Sequence, residues 1–263
     1  MFTQSQLTHA LSGQRLGHLL YYFPTIGSTN DEAKRLAMEG APEGTMVVAD
    51  EQTSGRGRSG RAWITQRGTD LASTFLLRPD MLPVRVGVLS LVGGLAAARA
   101  IEEVTGLTAQ IKWPNDVFIS DRKVCGVLAE TNIDNGRVGW VALGIGINVN
   151  LALPERKVVQ YLATSLAAEI GREVNRLRLL VTLSKTLDEI YSNLGGRAVA
   201  DACESRMLWH GRLVRVIGSD TSVVDEGLLV GLTDDGALRL RRQSGREVSI
   251  RNGDVSLVPK QQI

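Results

Sequence analysis

At 263 residues, 43% hydrophobic and 22% charged, the chain is long enough for one large domain with a full core and one small one. A formal net charge of +2 is too small to make nucleic acid the main partner, and outside one short stretch the basic residues are scattered. Cys125 and Cys203 stand alone and His9, His18 and His210 show no ligand spacing, so neither a disulfide framework nor a zinc site is readable.

The opening Met-Phe-Thr-Gln-Ser-Gln-Leu has neither a basic n-region nor a long apolar h-region. The most apolar run, Val86 to Ala98, is broken by Gly93 and Gly94 and is too short to cross a bilayer. These readings place the chain in the cytoplasm, away from membranes.

In chain order, residues 1 to 20 predict a short helix, and Leu19 to Phe23 a strand closed by Pro24. Thr29 and Glu32 have capping-box spacing, and Ala33, Leu36 and Ala37 follow at helical intervals, so a helix is predicted from Asn30 to Gly40. Capping is the first role this offers Ser28, Thr29 and Asn30; holding a polar ligand group at a helix N-terminus is the other. Thr45 to Ala49 and Asp70 to Leu77 read as strands, and Val84 to Thr105 as a long Ala-rich helix ended by Gly106. Ala109 to Ile111 is a short strand running into Lys112-Trp-Pro-Asn-Asp116. Val117 to Ile119, a turn at Ser120-Asp121-Arg122, and Lys123 to Thr131 form a hairpin.

In the strand Trp140 to Val149, Val141, Leu143, Ile145, Ile147 and Val149 alternate on one face, with Ala142, Gly144, Gly146 and Asn148 on the other. Glycine weakens a strand interior, so the bare face implies that a close-packed helix or a ligand lies against it. Beyond Pro154 the pattern is helical: Lys157 to Ile170 ending at Gly171, Arg176 to Leu194 capped by Asn175, and Ala198 to Trp209. From His210 short strands with turns at Asp234-Asp235-Gly236, Ser244-Gly245 and Asn252-Gly253 suit a small antiparallel barrel. The domain boundary is expected at Trp209.

Between the strands at Thr45 and Asp70 lies Gly55-Arg-Gly-Arg-Ser-Gly-Arg61, three arginines and three glycines in seven positions. It has no side chains for a core and little strand or helix propensity, so it reads as a surface loop. Arg56, Arg58 and Arg61 offer forked donors to phosphate oxygens, and Gly55, Gly57 and Gly60 let backbone approach the same oxygens. A solvated basic tip is the plainer alternative. The stretch matches the dinucleotide fingerprint letter for letter, but a tryptophan and a loop follow where that motif opens a helix. No Walker A loop and no Gly-x-Ser-x-Gly elbow occurs. What remains is a set of cations, Arg56, Arg58, Arg61, Lys112 and Lys123, around the lone acid Asp116. Such a set suits a carboxylate attacking the α-phosphate of ATP, where two anions must meet.

Ser28-Thr29-Asn30, Gln52 with the Gly-Arg loop, Lys112 to Asp116, Asp121-Arg-Lys-Val-Cys-Gly126 and Gly144-Ile-Gly-Ile-Asn148 together resemble the successive motifs of biotin protein ligases, in order, over residues 20 to 260. The resemblance implies an α/β (α+β) fold: a mixed-sheet catalytic domain over residues 1–209 and an SH3-like barrel over 210–263. It implies activation of biotin with Mg2+ and ATP to biotinyl-5′-AMP and transfer to one lysine of a carboxyl-carrier protein, with no metal held by the protein alone. By the same resemblance Ser28, Thr29, Asn30 and Gln52 hold the biotin ring, and Arg56, Gly57 and Arg58 close over its carboxylate and the phosphate. Lys123 contacts both, Lys112 handles phosphate or metal, and Asp116 the metal or the incoming lysine. Gly126 and Gly144 floor the biotin pocket, and Gly55, Arg61, Asn115 and Asn148 complete the ATP and phosphate set.

Some relatives carry an N-terminal winged-helix domain, for which the stretch before Ser28 is too short, so specific nucleic-acid binding is not expected. Leu151 to Thr164 holds no tryptophan to cover an adenine. Trp113 is expected as a packed aromatic, and a homodimer is compatible with the family. The alternatives are a lipoate or octanoate ligase or transferase, and a non-catalytic module binding nucleotides or nucleic acid through the arginines.

Overall fold

The computed structural model describes residues 1–152, 157–158, 161–218, 222–251 and 256–259. Helix α1 (Gln4–Ala10) is N-capped by Thr3, whose hydroxyl accepts from the Gln6 N–H. It stops well short of residue 20, because Gly13 and Gly17 take φ of 84° and 98°, which turns the chain out of a right-handed helix. Strand β1 (Leu19–Phe23), helix α2 (Thr29–Met38), and strands β2 (Thr45–Ala49) and β3 (Leu71–Leu77) follow. Every residue of β2 and β3 is buried, as expected of strands covered on both faces.

Helix α3 (Gly87–Thr105) ends at Gly106 as predicted. Gly93 does not interrupt it. A Cβ there would press on Val127 Cγ1, so the glycine admits close helix–sheet packing. Pro83–Thr105 is also long and apolar enough to cross a membrane by length and composition, contrary to the shorter run expected. Within this fold α3 is the core helix, buried from Val88 to Ala98 and at Ala100 and Ile101.

Strands β4 (Gln110–Lys112), β5 (Asp116–Ile119), β6 (Arg122–Asp134) and β7 (Arg137–Ile147) complete a seven-stranded sheet in the order β1-β2-β3-β7-β6-β5-β4. Only β1 and β2 pair in parallel. Next come the two-residue strands β8 (Lys157–Val158) and β9 (Tyr161–Leu162) and the short helix α4 (Leu166–Ile170), where one helix from Lys157 was expected. Helix α5 (Arg176–Tyr191) is capped by Asn175 as predicted, its carboxamide oxygen accepting from the Arg178 N–H, and α6 (Ala198–Glu204) ends before Trp209.

A second, antiparallel sheet forms the small SH3-like barrel: β10 (Leu213–Ile217), β11 (Val223–Leu232), β12 (Leu238–Arg241), β13 (Glu247–Ile250) and β14 (Ser256–Pro259), ordered β13-β12-β11-β10-β14. Two of the expected turns sit at Gly236 and Gly245 with positive φ; Asn252-Gly253 lies outside the described residues. Trp113 is the packed aromatic expected, 3% exposed, and its indole N–H donates to Gly236 O at 2.9 Å. The chain between α6 and β10 braces the same segment, since Ile111 bonds Arg206 O and Leu208 bonds Ile111 O. The barrel thus fixes the strand that carries Lys112.

Candidate active site

Sheet register assembles the site. Ala72, Gly146, Gly126, Asp116 and Lys112 are successive cross-strand partners through β3, β7, β6, β5 and β4, and residues so paired point to one face. The next row holds Thr74, Gly144 and Leu128. Above this glycine floor lies a cavity of about 330 Å³ lined by the expected Ser28, Thr29, Asn30, Gln52, Arg56, Gly57, Arg58, Arg61, Lys112, Asn115, Asp116, Lys123, Gly126, Gly144 and Asn148. The opposite face of β6 and β7 takes α3. The bare glycine face carries side chains: a Cβ at Gly144 would collide with Asn30 Oδ1, and one at Gly146 with the Trp63 ring.

At the amide-lined end, the capping box does not form. Ser28 is the N-cap yet makes no side-chain cap bond. The Gln52 Oε1 takes that role from outside the helix, accepting the Thr29 N–H at 2.8 Å and the Thr29 hydroxyl at 3.0 Å. Glu32 pairs instead with Arg35. Thr74 on β3 stands within hydrogen-bond reach of Thr29 Oγ1 (2.8 Å) and Asn30 Oδ1 (2.7 Å). The Asn30 amide donates to Glu130 at 2.8 Å, and Lys34 also holds Glu130 at 2.7 Å. Ser28 is 4% exposed, and its hydroxyl has no protein partner among the described residues.

The arginine stretch is a tight hairpin rather than an open loop. Trp63 N–H bonds Gly55 O, Gly57 N–H bonds Arg61 O, and Ser59 and Gly60 turn it with positive φ. A Cβ on Gly55 would collide with Trp63 O. Because Gly57 spends its N–H inside the hairpin, the backbone cradle expected there is partly used up. Arg56 forks onto Asp31 in the first turn of α2, at 2.5 and 2.8 Å, and Arg61 Nε bonds Arg58 O.

At the cationic end, Lys123 pairs with Asp116 at 2.7 Å, and its ammonium lies 5.5 Å from the Trp63 ring centroid, within cation–π range. Lys112 is 3% exposed. Burial pushes its ammonium down to about 8; Lys123 and Arg61 add to the fall, and Asp116 opposes it. Five cations line the cavity against Asp116, the one acid among its described lining residues. Asn115 and Asn148 also line it, but their amides serve the scaffold: Asn115 bonds Val127 O at 2.7 Å and Asn148 bonds Thr164 O at 3.0 Å.

Two residues were missed. Thr74 gave no signal, because β3 is buried throughout and shows no alternation. Trp63 lies against Gly126 and Gly146, with its indole N–H buried and without a partner among the described residues; its place directly after the arginines was the available clue. The donors fit a nucleotide with its metal. The indole N–H and planar ring offer a donor and a stacking face, and the five cations outnumber the one acid of the lining. Among the described residues no three His, Cys, Asp or Glu cluster as metal ligands, whereas Mg2+ is commonly held by phosphates plus one or two carboxylates, a role open to Asp116.

A mixed sheet with a glycine-floored, cation-lined cavity and a barrel braced behind it defines an acyl-activating ligase. The Biotin/lipoate A/B protein ligase family matches residues 22–148, and the Biotin protein ligase C terminal domain matches 210–258. The chain is 35% identical to the biotin–[acetyl-CoA-carboxylase] ligase of Paracoccus denitrificans, over 84% of this chain and 93% of that one. It is 33% identical to the bifunctional ligase/repressor BirA of Bacillus subtilis, over 97% and 79%. The solved biotin protein ligase of Aquifex aeolicus in complex with biotin and ATP superposes with a TM-score of 0.77 at 32% identity, over 92% and 99%. The chain belongs to the biotin protein ligase family. It is a biotin ligase, and its family implies a biotin carrier protein as substrate partner.

Proposed function

We propose that adenylation and transfer both take place in the cavity above Gly126, Gly144 and Gly146, with the roles divided by its two ends. Ser28, Thr29, Asn30 and Gln52 hold the ring of biotin, Thr74 orienting Thr29 and Asn30. The biotin carboxylate then points to Lys123, which leaves Asp116 to neutralise carboxylate and α-phosphate together. A carboxylate oxygen bonds to the α-phosphorus as the bond to the β-phosphate bridge breaks, and pyrophosphate leaves. Lys112, Arg58 and Arg61 stabilise the charge that develops on the phosphates, and Arg56 exchanges Asp31 for substrate. Asp116, with the phosphates, would hold Mg2+, which would supply further charge neutralisation there. In the second step the carrier lysine amine bonds to the acyl carbon and AMP leaves. Asp116, released from Lys123, receives the lysine's proton. The Trp63 ring and indole N–H suit a flat nitrogen heterocycle such as adenine.

The observation that carries this reading is the buried Lys112 in a cavity where cations outnumber acids, an arrangement that asks for an anion. Biotin-dependent exchange of labelled pyrophosphate into ATP tests it, with lipoate as the parallel acid. Exchange with biotin alone is expected; exchange with lipoate alone would move the chain to the lipoate branch.

The barrel is assigned to residues 210–263 and the catalytic domain to 1–209. The protein is assigned to the cytoplasm, in keeping with two buried free thiols, Cys125 and Cys203. The loop arginines line the cavity, which favours a small-molecule role for them over specific nucleic-acid binding. Beyond Gly126, β6 has no strand partner on the side away from β7 among the described residues, an edge that supports a homodimer. Sedimentation at two concentrations checks this.

A further inference from the structure

The segment that delivers Gln52, the three arginines and Trp63 runs from residue 51 to 69, and a buried acid stands at each root. Asp50 closes β2 and Asp70 precedes β3; each is 1% exposed. One guanidinium holds both roots. Arg176, the first residue of α5 and 8% exposed, donates to Asp50 Oδ1 at 2.8 Å and to the Asp70 carbonyl at 2.9 Å.

The acids spend their remaining oxygens on the same junction. Asp50 Oδ2 accepts the Tyr22 hydroxyl at 2.6 Å and the Phe2 N–H at 3.2 Å, and the Arg176 guanidinium lies 4.2 Å from the Phe2 ring centroid. Asp70 accepts the Gln66 N–H at 3.1 Å, inside the segment, and the Val149 N–H at 3.3 Å, at the end of β7. Backbone bonds from Gly68 to Asp50 O and from Asn150 to Thr69 O close the base. Asp50, Asp70, Arg176 and Tyr22 are not among the residues lining the cavity, so substrate contact does not explain them.

A buried ion pair is a poor device for stability alone, since apolar residues of like volume often serve as well. It does fix geometry, because every donor and acceptor is directional. Resting on the functional reading above, we propose that Arg176 is a positioning residue of the adenylation reaction. With Asp50 and Asp70 it holds both roots of segment 51–69 at a set separation, so that Gln52, Arg56, Arg58, Arg61 and Trp63 reach the cavity together. Without the clamp the segment must be ordered at the expense of substrate binding, which raises KM more than it lowers kcat.

The test compares wild type, Arg176→Met and Arg176→Lys as full chains, first in biotin-dependent pyrophosphate exchange. Arg176→Met is expected to raise KM for biotin and ATP at least tenfold with kcat changed less than threefold, and Arg176→Lys to recover most of the loss. The second readout needs no activity. Trypsin should cut after Arg56, Arg58 or Arg61 at least tenfold faster in Arg176→Met. Should that variant not fold, Asp50→Asn/Arg176→Met, which removes both members of the Asp50–Arg176 ion pair, is read in the same way. A lower Tm with unchanged KM and unchanged cleavage would overturn the proposal. A wild type that fails to exchange would defeat the functional reading instead, and the tryptic comparison would still decide the clamp.

Discussion

The two ends of the cavity are built on opposite terms. At the amide-lined end the protein satisfies its own polar groups, the Ser28 hydroxyl apart: Gln52 caps Thr29, Thr74 reaches Thr29 and Asn30, and Glu130 takes the Asn30 amide. At the cationic end burial drives Lys112 toward neutrality, and the Trp63 N–H has no partner among the described residues. The contrast teaches that the first end is set before any ligand arrives, whereas the second is completed by one. Neutral polar recognition tolerates a finished hydrogen-bond network; anion recognition needs charge held in reserve.

The strongest way to break this division is Lys123→Ala. Exchange is expected to fall about 10²–10³-fold in kcat, the scale of one preorganised electrostatic contact, with biotin affinity falling less. The side chain is 27% exposed, so circular dichroism should show an intact fold. Unchanged adenylation would take Lys123 out of the chemistry.

At the other end the corresponding change is Gly144→Ala. Its Cβ would meet Asn30 Oδ1, forcing Asn30 off Thr74 and Glu130 at a cost of about 1–3 kcal/mol in stability, as overpacking does. Biotin binding by calorimetry should weaken tenfold or more while Mg-ATP binding holds. Equal loss for both ligands would mean that the ends are not independent.

How much of this was legible in the sequence depends on range. The alternation from Val141 to Val149 identified the glycine face, and the Lys112 to Asp116 and Gly126 motifs named residues that the fold brings to one cavity, because those signals are local. Thr74 was silent, since a strand buried on both faces carries no period. The role of Gln52 was hidden as well: Thr29 and Glu32 satisfy the capping rule locally, but a side chain 23 residues away takes the N–H first. Likewise the helix read from Lys157 gives way to two short strands before α4. The row from Ala72 to Lys112 exists only once five strands pair, and spacing along the chain does not contain it.

A smaller effect sharpens the comparison through pH. Burial holds the Lys112 ammonium down to about 8 in the free protein against an ordinary 10.5, and phosphate beside it favours the charged form. Between those values the complex therefore holds more protons than the free protein, so affinity for Mg-ATP falls as pH rises through the window, by at most about tenfold per unit. Calorimetry at pH 9 in buffers of different ionisation heat should show uptake of close to one proton, absent in Lys112→Met. Biotin binding alone should be nearly flat over the same range.

The smallest expected effect lies where the two ends meet. Asp31 sits on α2 beside Asn30 yet grips Arg56 of the hairpin, with Lys34 as its second partner at 2.9 Å. The Arg56 guanidinium, more than any other neighbour, holds the Asp31 carboxyl down to about 2, so the pair stays charged at any working pH. The carboxylate is 50% exposed, however, and such pairs contribute less than about 1 kcal/mol. Asp31→Asn should therefore leave Tm almost unchanged. Its effect belongs to binding: Arg56 no longer has to be detached, and the anionic substrates should bind about two- to threefold tighter at low salt, a gain that vanishes as salt screens the pair. Weaker binding in Asp31→Asn would reverse the assignment, because Asp31 would then be holding the hairpin in the shape that substrate selects, and the cationic end would be as finished in advance as the amide-lined one.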